Sequence, residues 1–532
     1  MLETLVGFSV RRRGVVLILW AVVAVAAGFA LRRLSVDAVP DVTSTQVQVL
    51  TSSPGLSPLE VEQYLTYPIE AAMNGVPGVA EIRSISRTAV SVVTVVFEEG
   101  TDVWFARQLV TERLKLAEAD IAPELGRPEL APVSTGLGQI YEFYLRSDRH
   151  SPMELRTLLD WVVAYKLRSV KGVIEVNAMG GEAKQFEVVL DPRRLVAHKL
   201  SLRDVEDAIL RNNGALGAGY IEKGQESLTI RGDALFKNLK DIEATVVSVN
   251  DRGTPVLLGQ IATVRVGQAL RYGTVTKLNE GEIVSGTVMM LIGANSREVV
   301  QAVKAKLAQI QQELPEGVEI RPFYDRAEFI ARMLETVTIN LAEGAGLVIV
   351  VLFMTLGSFR GSLIAALAIP LAMGIAVLGM VRLQITGNLM SLGAIDFGLL
   401  VDGAIVMLEA TLSLLAVRRA QTRGDIAKAV ADAMRGAARP VTFSLAIILL
   451  VYLPLMALEG VEGRMFRPMA ATVALALFGA LLFSLTAFPA LCAFLLAAPK
   501  HAHDENAGVF GALRRQYRAL LDQVLGHLWT TL

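Results

Sequence analysis

The stretch from Ser391 to Ala410, SLGAIDFGLLVDGAIVMLEA, puts three carboxylates, Asp396, Asp402 and Glu409, into an apolar run that extends from Met390 to Leu415. A helix of that length crosses a hydrocarbon core of about 30 Å, and each charge near the centre costs about 2.5 to 3.5 kcal/mol on insertion scales. Acids in such a place are retained for function, so this one run constrains both fold and chemistry. On a continuous helix at 100° per residue, Glu409 lies about 20° round from Asp402 and about 10 Å along, while Asp396 lies about 120° away. Two acids share a face and the third flanks it. Coupled acids of this kind suit a proton carrier, and neighbouring carboxylates are equally plausible hard ligands for a metal ion.

The whole chain agrees with a membrane setting. Of its 532 residues 53% are hydrophobic and 19% charged, and the mean hydropathy is +0.47, too apolar for a soluble protein of this size. A formal net charge of -1 without a basic stripe excludes nucleic acid as a partner. The single cysteine, Cys492, sits in an apolar run as a small hydrophobe and has no disulfide partner within the chain.

Apolar density marks six crossings. The first, Val15 to Ala30, follows Arg11 to Arg13 and precedes LRRLSVDAVP, which lacks a small-x-small cleavage site, so it is expected to stay as a helix. The others are expected at Val337 to Leu356, Ser362 to Met380, Met390 to Leu415, Val441 to Leu458 and Met469 to Ala497. The connector from Arg418 to Arg439 carries Arg418, Arg419, Arg423, Lys428, Arg435 and Arg439 against Asp425 and Asp432, and Lys500, Arg514, Arg515 and Arg518 follow the sixth crossing. By the positive-inside rule these segments and the amino end face the cytoplasm. Residues 34–335 are then expected outside, which is the periplasm if the source is a double-membraned bacterium, with Arg32 and Arg33 opposing the rule weakly.

That outer region alternates strand and helix periodicity. Gln46–Ser52, Ala80–Ser86 and Ser91–Phe97 are expected as strands, and Ser57–Met73 and Asp102–Glu118 as helices, giving one split βαβ unit. A second unit is expected from strand Ile140–Arg146, helix Met153–Ser169, strands Val173–Met179 and Gln185–Leu190, then strand Glu282–Leu291, helix Ser296–Leu314 and strand Val318–Tyr324. Helix Ser201–Asn212 belongs to an inserted sub-domain of about residues 195–271. The expected fold is a bundle of six transmembrane helices with an outer α+β domain of ferredoxin-like split βαβ units.

Other motifs have plainer explanations. Asp396-Phe397-Gly398 matches the kinase magnesium tripeptide but lacks its partner motifs, and GALGAGY at Gly214 to Tyr220 is expected as a turn. HAHDE at His501 to Glu505 is expected as a solvated linker, and Met289 and Met290 as core. Pro370 and Gly374 in the third crossing and Pro454 in the fifth permit kinks. No hydrolase or transferase constellation is present, so no enzymatic chemistry is expected.

Several longer segments carry a family likeness: DAVPDVTSTQVQV at Asp37 to Val49, TYPIE at Thr66 to Glu70, GTDVWFARQLV at Gly100 to Val110, STGLGQIY at Ser134 to Tyr141 and YDRAEFI at Tyr324 to Ile330. In the membrane part they are DFGLLVDGAIVMLEA at Asp396 to Ala410 and RPVTFSLAIILLVYLPLMALEGVEGRMFRPMA at Arg439 to Ala470. Together they resemble the amino-terminal half of the heavy-metal efflux branch of the resistance-nodulation-division transporters, along essentially the whole chain.

The resemblance implies a proton-driven, homotrimeric antiporter of the inner membrane, joined through a periplasmic adaptor protein to an outer-membrane channel. It implies proton-relay roles for Asp396, Asp402 and Glu409, no cofactor, and the cobalt-zinc-cadmium type, hence export of Zn, Co or Cd; it names no metal ligands here. Ala410 departs from the family's usual Asn. Family members have two homologous halves, so residues 500–532 are expected to lead, as an amphipathic cytoplasmic segment, into a second half that supplies the basic partner of the acids. No Lys or Arg sits in the middle of the six crossings. A related exporter of organic compounds, and a non-transporting membrane scaffold that binds a periplasmic partner, are the competing readings.

Overall fold

The computed structural model describes the chain except at residues 1, 38, 250–252, 272, 357, 394, 419–421, 497–507 and 527–532. It divides into two compact units, Met1–Ala131 with Ala327–Leu532, and Pro132–Arg326.

The first unit begins with α1 (Leu2–Arg11) and α2 (Arg13–Arg33), separated where Arg12 leaves helical geometry at φ −105°, ψ 35°. Then come β1 (Gln46–Ser52), α3 (Pro58–Val61), a π-helical turn over Glu62–Thr66, α4 (Tyr67–Met73), β2 (Val79–Arg87), β3 (Val90–Phe97), α5 (Val103–Asp120) and β4 (Pro128–Leu130). The helices start at their capping residues. The Ser57 backbone N–H donates to Glu60, and Asp102 accepts from the N–H groups of Trp104 and Phe105. The strands form an antiparallel sheet in the order β2-β3-β1-β4. Its register sets Val47 opposite Val95 and Val49 opposite Val93, and these valines close over Leu65, Ile69, Met73, Val110 and Leu114. The period-2 valine pattern therefore supplies the face that the helices cover.

The second unit contains β5 (Gln139–Arg146), α6 (Pro152–Leu158), a π-helical turn over Leu159–Val163, α7 (Ala164–Leu167) and β6 (Val173–Met179). An excursion follows: β7 (Lys184–Leu190), α8 (Pro192–Ala197), α9 (Leu202–Asn212), β8 (Ala215–Lys223), β9 (Glu226–Asp233), α10 (Leu239–Glu243), β10 (Val246–Val249), β11 (Pro255–Leu257), α11 (Leu258–Ile261) and β12 (Ala262–Gln268). After the short ribbon β13 (Thr276–Lys277) and β14 (Gly281–Glu282), the chain returns as β15 (Val284–Met290), α12 (Ser296–Gln311) and β16 (Glu319–Asp325). The sheet order is β16-β5-β15-β6, again antiparallel. Gly286 faces Phe143 in this sheet, and a Cβ there would lie 2.6 Å from Phe143 Cζ.

Two sequence expectations change here. Gln185–Leu190 does not join the second sheet: β7 pairs with β12, because Val188, Leu190 and Val264 share a separate core with Val205, Ala208, Leu258 and Ile261. Gly214 to Tyr220 is mostly strand rather than turn, since β8 pairs with β9 as a hairpin. Gly219, at φ +97°, sits where that register shifts, a backbone conformation that favours glycine.

The first unit resumes with α13 (Arg326–Leu356), α14 (Phe359–Ala366), α15 (Ala368–Arg382), α16 (Leu389–Gly393), α17 (Phe397–Arg418), α18 (Arg423–Met456), α19 (Gly460–Leu485), α20 (Ala487–Leu495) and α21 (Gly508–Gly526). Among the described residues six stretches are long and apolar enough to cross a membrane: Arg13–Arg33, Arg326–Met354, Phe359–Arg382, Leu389–Arg418, Arg423–Met456 and Gly460–Leu485. Small residues bring these helices close together. A Cβ on Gly374 would lie 3.0 Å from Ala27 Cβ, and one on Gly479 would lie 2.9 Å from the Ala372 carbonyl oxygen.

The crossings differ from expectation at their ends. The basic connector is largely helical, because α18 begins at Arg423 and runs for 34 residues. At 1.5 Å per residue that is about 51 Å, longer than the ~30 Å core, so its basic first turns stand beyond the hydrocarbon. Arg439, near the middle of this helix, pairs with Glu3 of α1 at 3.3 Å. The sixth crossing starts at Gly460, earlier than Met469, and stops at Leu485. Thr486 separates it from α20, and its hydroxyl accepts the Trp20 indole N–H at 2.9 Å.

Candidate functional site

The fourth crossing is two helices, and the break falls among the acids. α16 ends at Gly393 and α17 starts at Phe397, leaving Asp396 just ahead of the second helix. Its Oδ1 accepts the Gly398 backbone N–H at 2.8 Å. This corrects the continuous-helix geometry: Asp396 is an exposed acid at the amino end of α17, where N–H groups lack intrahelical partners. The 120° offset therefore has no meaning for it.

Asp402 and Glu409 do lie within α17, seven residues apart on one face, with Val406 between them. All three are exposed, whereas Leu400, Val401, Ala404, Met407, Leu408 and Leu415 on the opposite side are buried in the bundle core. These buried residues are thus covered by the neighbours of α17, and the acids face away from them. None of the ion pairs found among the described residues includes Asp396, Asp402 or Glu409.

Gly403, next to Asp402, determines how closely α17 approaches its neighbours. A Cβ at this position would lie 3.0 Å from Val441 Cγ1 of α18, 3.1 Å from Ser484 Oγ of α19 and 3.4 Å from Leu445 Cδ1. The helix carrying the acids is therefore locked against two others at the level of Asp402. Ser484 is fully buried, and among the described residues its hydroxyl has no hydrogen-bond partner.

On the approach to the break, Asn388 caps α16: its Oδ1 accepts the Ser391 N–H at 2.8 Å, and its own N–H donates to Ser391 Oγ at 3.0 Å. Its Nδ2 is buried without a hydrogen-bond partner among the described residues, and Asn388 lines a small pocket with Asp37, Met333, Leu334, Leu389 and Leu392. The preceding Gly387 bridges the chain after α2, its carbonyl accepting from the Asp37 N–H at 2.8 Å. Sequence reasoning found the three acids by their cost in an apolar run. It missed Gly403 and Asn388, whose roles depend on helices distant in sequence.

The remaining candidates are simpler. Among the described residues no three His, Cys, Asp or Glu side chains gather as a metal ion would require, so the acids do not form one joint ligand set. HAHDE lies outside the described residues. Met290 is buried and Met289 half-buried in β15. Outside the membrane segments, burial raises the Tyr141 phenol to about 12, with Asp325 adding to it, and burial also raises the Glu142 carboxyl. Asp325, opposite Tyr141 in the β5–β16 ladder, pairs with Lys304.

Comparison with known proteins agrees with this architecture. The model of the AcrB/AcrD/AcrF family matches residues 5–532. Protein HelA of Legionella pneumophila is 45% identical over 98% of this chain and 51% of its own length. The cobalt-zinc-cadmium resistance protein CzcA of Cupriavidus metallidurans is 44% identical over 99% of this chain and 50% of its own. The crystal structure of a heavy metal efflux pump superimposes with a TM-score of 0.82 at 32% identity, covering 98% of this chain and 49% of that one. The chain belongs to the AcrB/AcrD/AcrF family of resistance-nodulation-division transporters and has their fold. It spans about half the length of the curated relatives it matches.

Proposed function

We propose that the chain supplies the amino-terminal half of a proton-driven antiporter that exports divalent heavy-metal cations, Zn, Co or Cd, across the cell envelope. The observation that carries this is the face of α17 on which Asp402 and Glu409 lie exposed, flanked by Asp396, without an ion-pair partner among the described residues. Bare carboxylates against lipid are costly, so a further helix with a cation is expected to cover them. The relatives named for metal resistance and efflux supply the substrate class.

In this reading, protons enter near Asp396 at the outer end of α17 and leave past Glu409 at the inner end. Protonation removes the charge of Asp402 in a low-dielectric setting and so changes which packing of α17 is favoured. The drive is adequate: each charge crossing 100 mV releases about 2.3 kcal/mol.

The remaining assignments follow as one picture. Residues 1–33 form the first crossing, 34–335 a periplasmic domain, 336–499 crossings two to six, and 500–532 a cytoplasmic segment leading to the second half. The two four-stranded sheets are split βαβ units of ferredoxin type, supported by their equivalent strand orders. The complete transporter is a homotrimer in the inner membrane, in contact with lipid, a periplasmic adaptor and an outer-membrane channel.

The test is growth of cells expressing the complete transporter in raised zinc, cobalt or cadmium, with and without Asp402→Asn. Metal tolerance that Asp402→Asn abolishes supports the reading. Unchanged metal tolerance with raised dye or detergent tolerance would assign an exporter of organic compounds. Activity that survives Asp402→Asn would assign a scaffold.

A further inference from the structure

The proposed function requires a charge change on α17 to reach the outer domain, and one carboxylate is placed to carry it. Glu99 lies in the turn between β3 and α5. Its Oε2 accepts the Gly460 backbone N–H at 3.0 Å, and its Oε1 lies 3.8 Å from Arg464 Nε and 3.7 Å from Arg467 Nη1.

Gly460 is the first residue of α19, and Glu459 before it makes no side-chain capping bond. The amino end of this membrane helix therefore takes its carboxylate from a turn 361 residues earlier in the chain. A helix amino terminus and two guanidinium groups from its first turns favour an anion at this point, and hydrogen bonds to a charged partner are the stronger kind. Arg464 also donates to the carbonyl oxygens of Val42 and Thr43, on the segment leading into β1. The first sheet thus holds α19 through both its β3–α5 turn and the entry to β1.

The hairpin carrying this contact has little freedom. Only Ala457 to Glu459 separate α18 from α19, and Gly460 is at φ +68°. A Cβ on Gly463 would lie 2.3 Å from the Leu458 carbonyl oxygen. Near its other end, α19 meets the helix carrying the acids, where Ser484 Oγ lies 3.1 Å from the Cβ position of Gly403. One helix therefore touches the neighbour of Asp402 and is held by the first sheet.

We propose that Glu99 is a positioning residue that couples the charge state of α17 to the first sheet through α19. The inference rests on the proton-driven reading of Asp402. A packed helix held at two points transmits a displacement because close-packed interiors do not deform continuously.

The test uses hydrogen exchange of the intact protein in membrane mimetic. Asp402→Asn, which mimics the protonated acid, is expected to change exchange by about threefold or more in both the 98–102 turn and the 457–463 hairpin. In the Glu99→Ala background the same substitution should still change the hairpin but leave the 98–102 turn unmoved. Glu99→Gln keeps an oxygen for the Gly460 N–H without the charge; it should give an intermediate response and serves where Glu99→Ala does not purify. A 98–102 turn that ignores Asp402→Asn, or that responds equally without Glu99, overturns the proposal. If the exchange pattern holds while metal tolerance is indifferent to Asp402→Asn, the coupling stands and the proton-driven reading falls.

Discussion

Gly403 and Ser484 meet where α17 approaches α19, with only 3.1 Å between the position a Cβ would take on the glycine and the serine hydroxyl oxygen. Asp402 is the preceding residue, so the backbone that carries the acid lies at a close approach between the two helices.

Gly403→Ala is therefore expected to destabilise the bundle. The new methyl meets Val441 Cγ1 at 3.0 Å and Ser484 Oγ at 3.1 Å, and overpacking of this kind costs about 1 to 3 kcal/mol. Thermal unfolding in detergent measures the loss. Ser484→Ala in the same chain should recover part of it, because it removes one of the two obstructing atoms together with a buried hydroxyl that has no partner among the described residues. A melting temperature unchanged by Gly403→Ala would contradict the close contact.

Asp396 has two separable roles. As the residue ahead of α17 it accepts the Gly398 N–H, and asparagine offers the same oxygen. Asp396→Asn is expected to keep thermal stability while reducing proton-coupled transport by the complete protein. Asp396→Ala should in addition lose about 1 kcal/mol for the missing cap. Equal melting temperatures for the two variants would show that the cap contributes nothing.

How much of this was legible in the sequence depends on the range of the interaction concerned. The strands β1 and β3 were readable because valine alternation such as Val47 and Val49 reflects one covered face. The crossings were readable because apolar length is itself the membrane constraint. The break before Phe397 was hidden because Asp396, the one charge there, reads in sequence as a cost in an apolar run, whereas in the structure it stands ahead of α17 and accepts the Gly398 N–H. The long start of α18 was hidden because its charges marked a loop, although Lys, Arg and Ala are good helix formers. The pairing of β7 with β12, the contact at Gly403 and the Glu99 cap are tertiary. In each, a residue's role is decided by a partner far along the chain, which no local pattern encodes.

Trp20 and Thr486 give a test of the packing between the first crossing and the end of the sixth. The indole N–H donates to the threonine hydroxyl at 2.9 Å, and the ring meets Phe483 edge-on with centroids 5.8 Å apart. Trp20→Phe keeps an aromatic ring but removes the donor, at a cost of about 0.5 to 1.5 kcal/mol. Thr486→Val removes the acceptor. If the bond is the shared cause, the double variant should lose less than the sum of the two single losses. Strict additivity of the melting shifts would show that the two side chains do not interact.

Glu142 should make the second unit sensitive to pH in a direction opposite to that of an ion-paired acid. It lies in β5 between Thr287 of β15 and Tyr324 of β16, and burial raises its carboxyl above the ordinary value of 4.5. The folded protein therefore holds this proton more tightly than the unfolded chain does. Its contribution is most favourable below that ordinary value and is lost as pH rises through the raised folded value. Glu142→Gln, which cannot ionise, should melt above the parent protein near neutral pH and alongside it near pH 4. Thermal melts of the intact chain across that range measure the difference. A gap that does not close on acidification would show that Glu142 acts through packing and not through its proton.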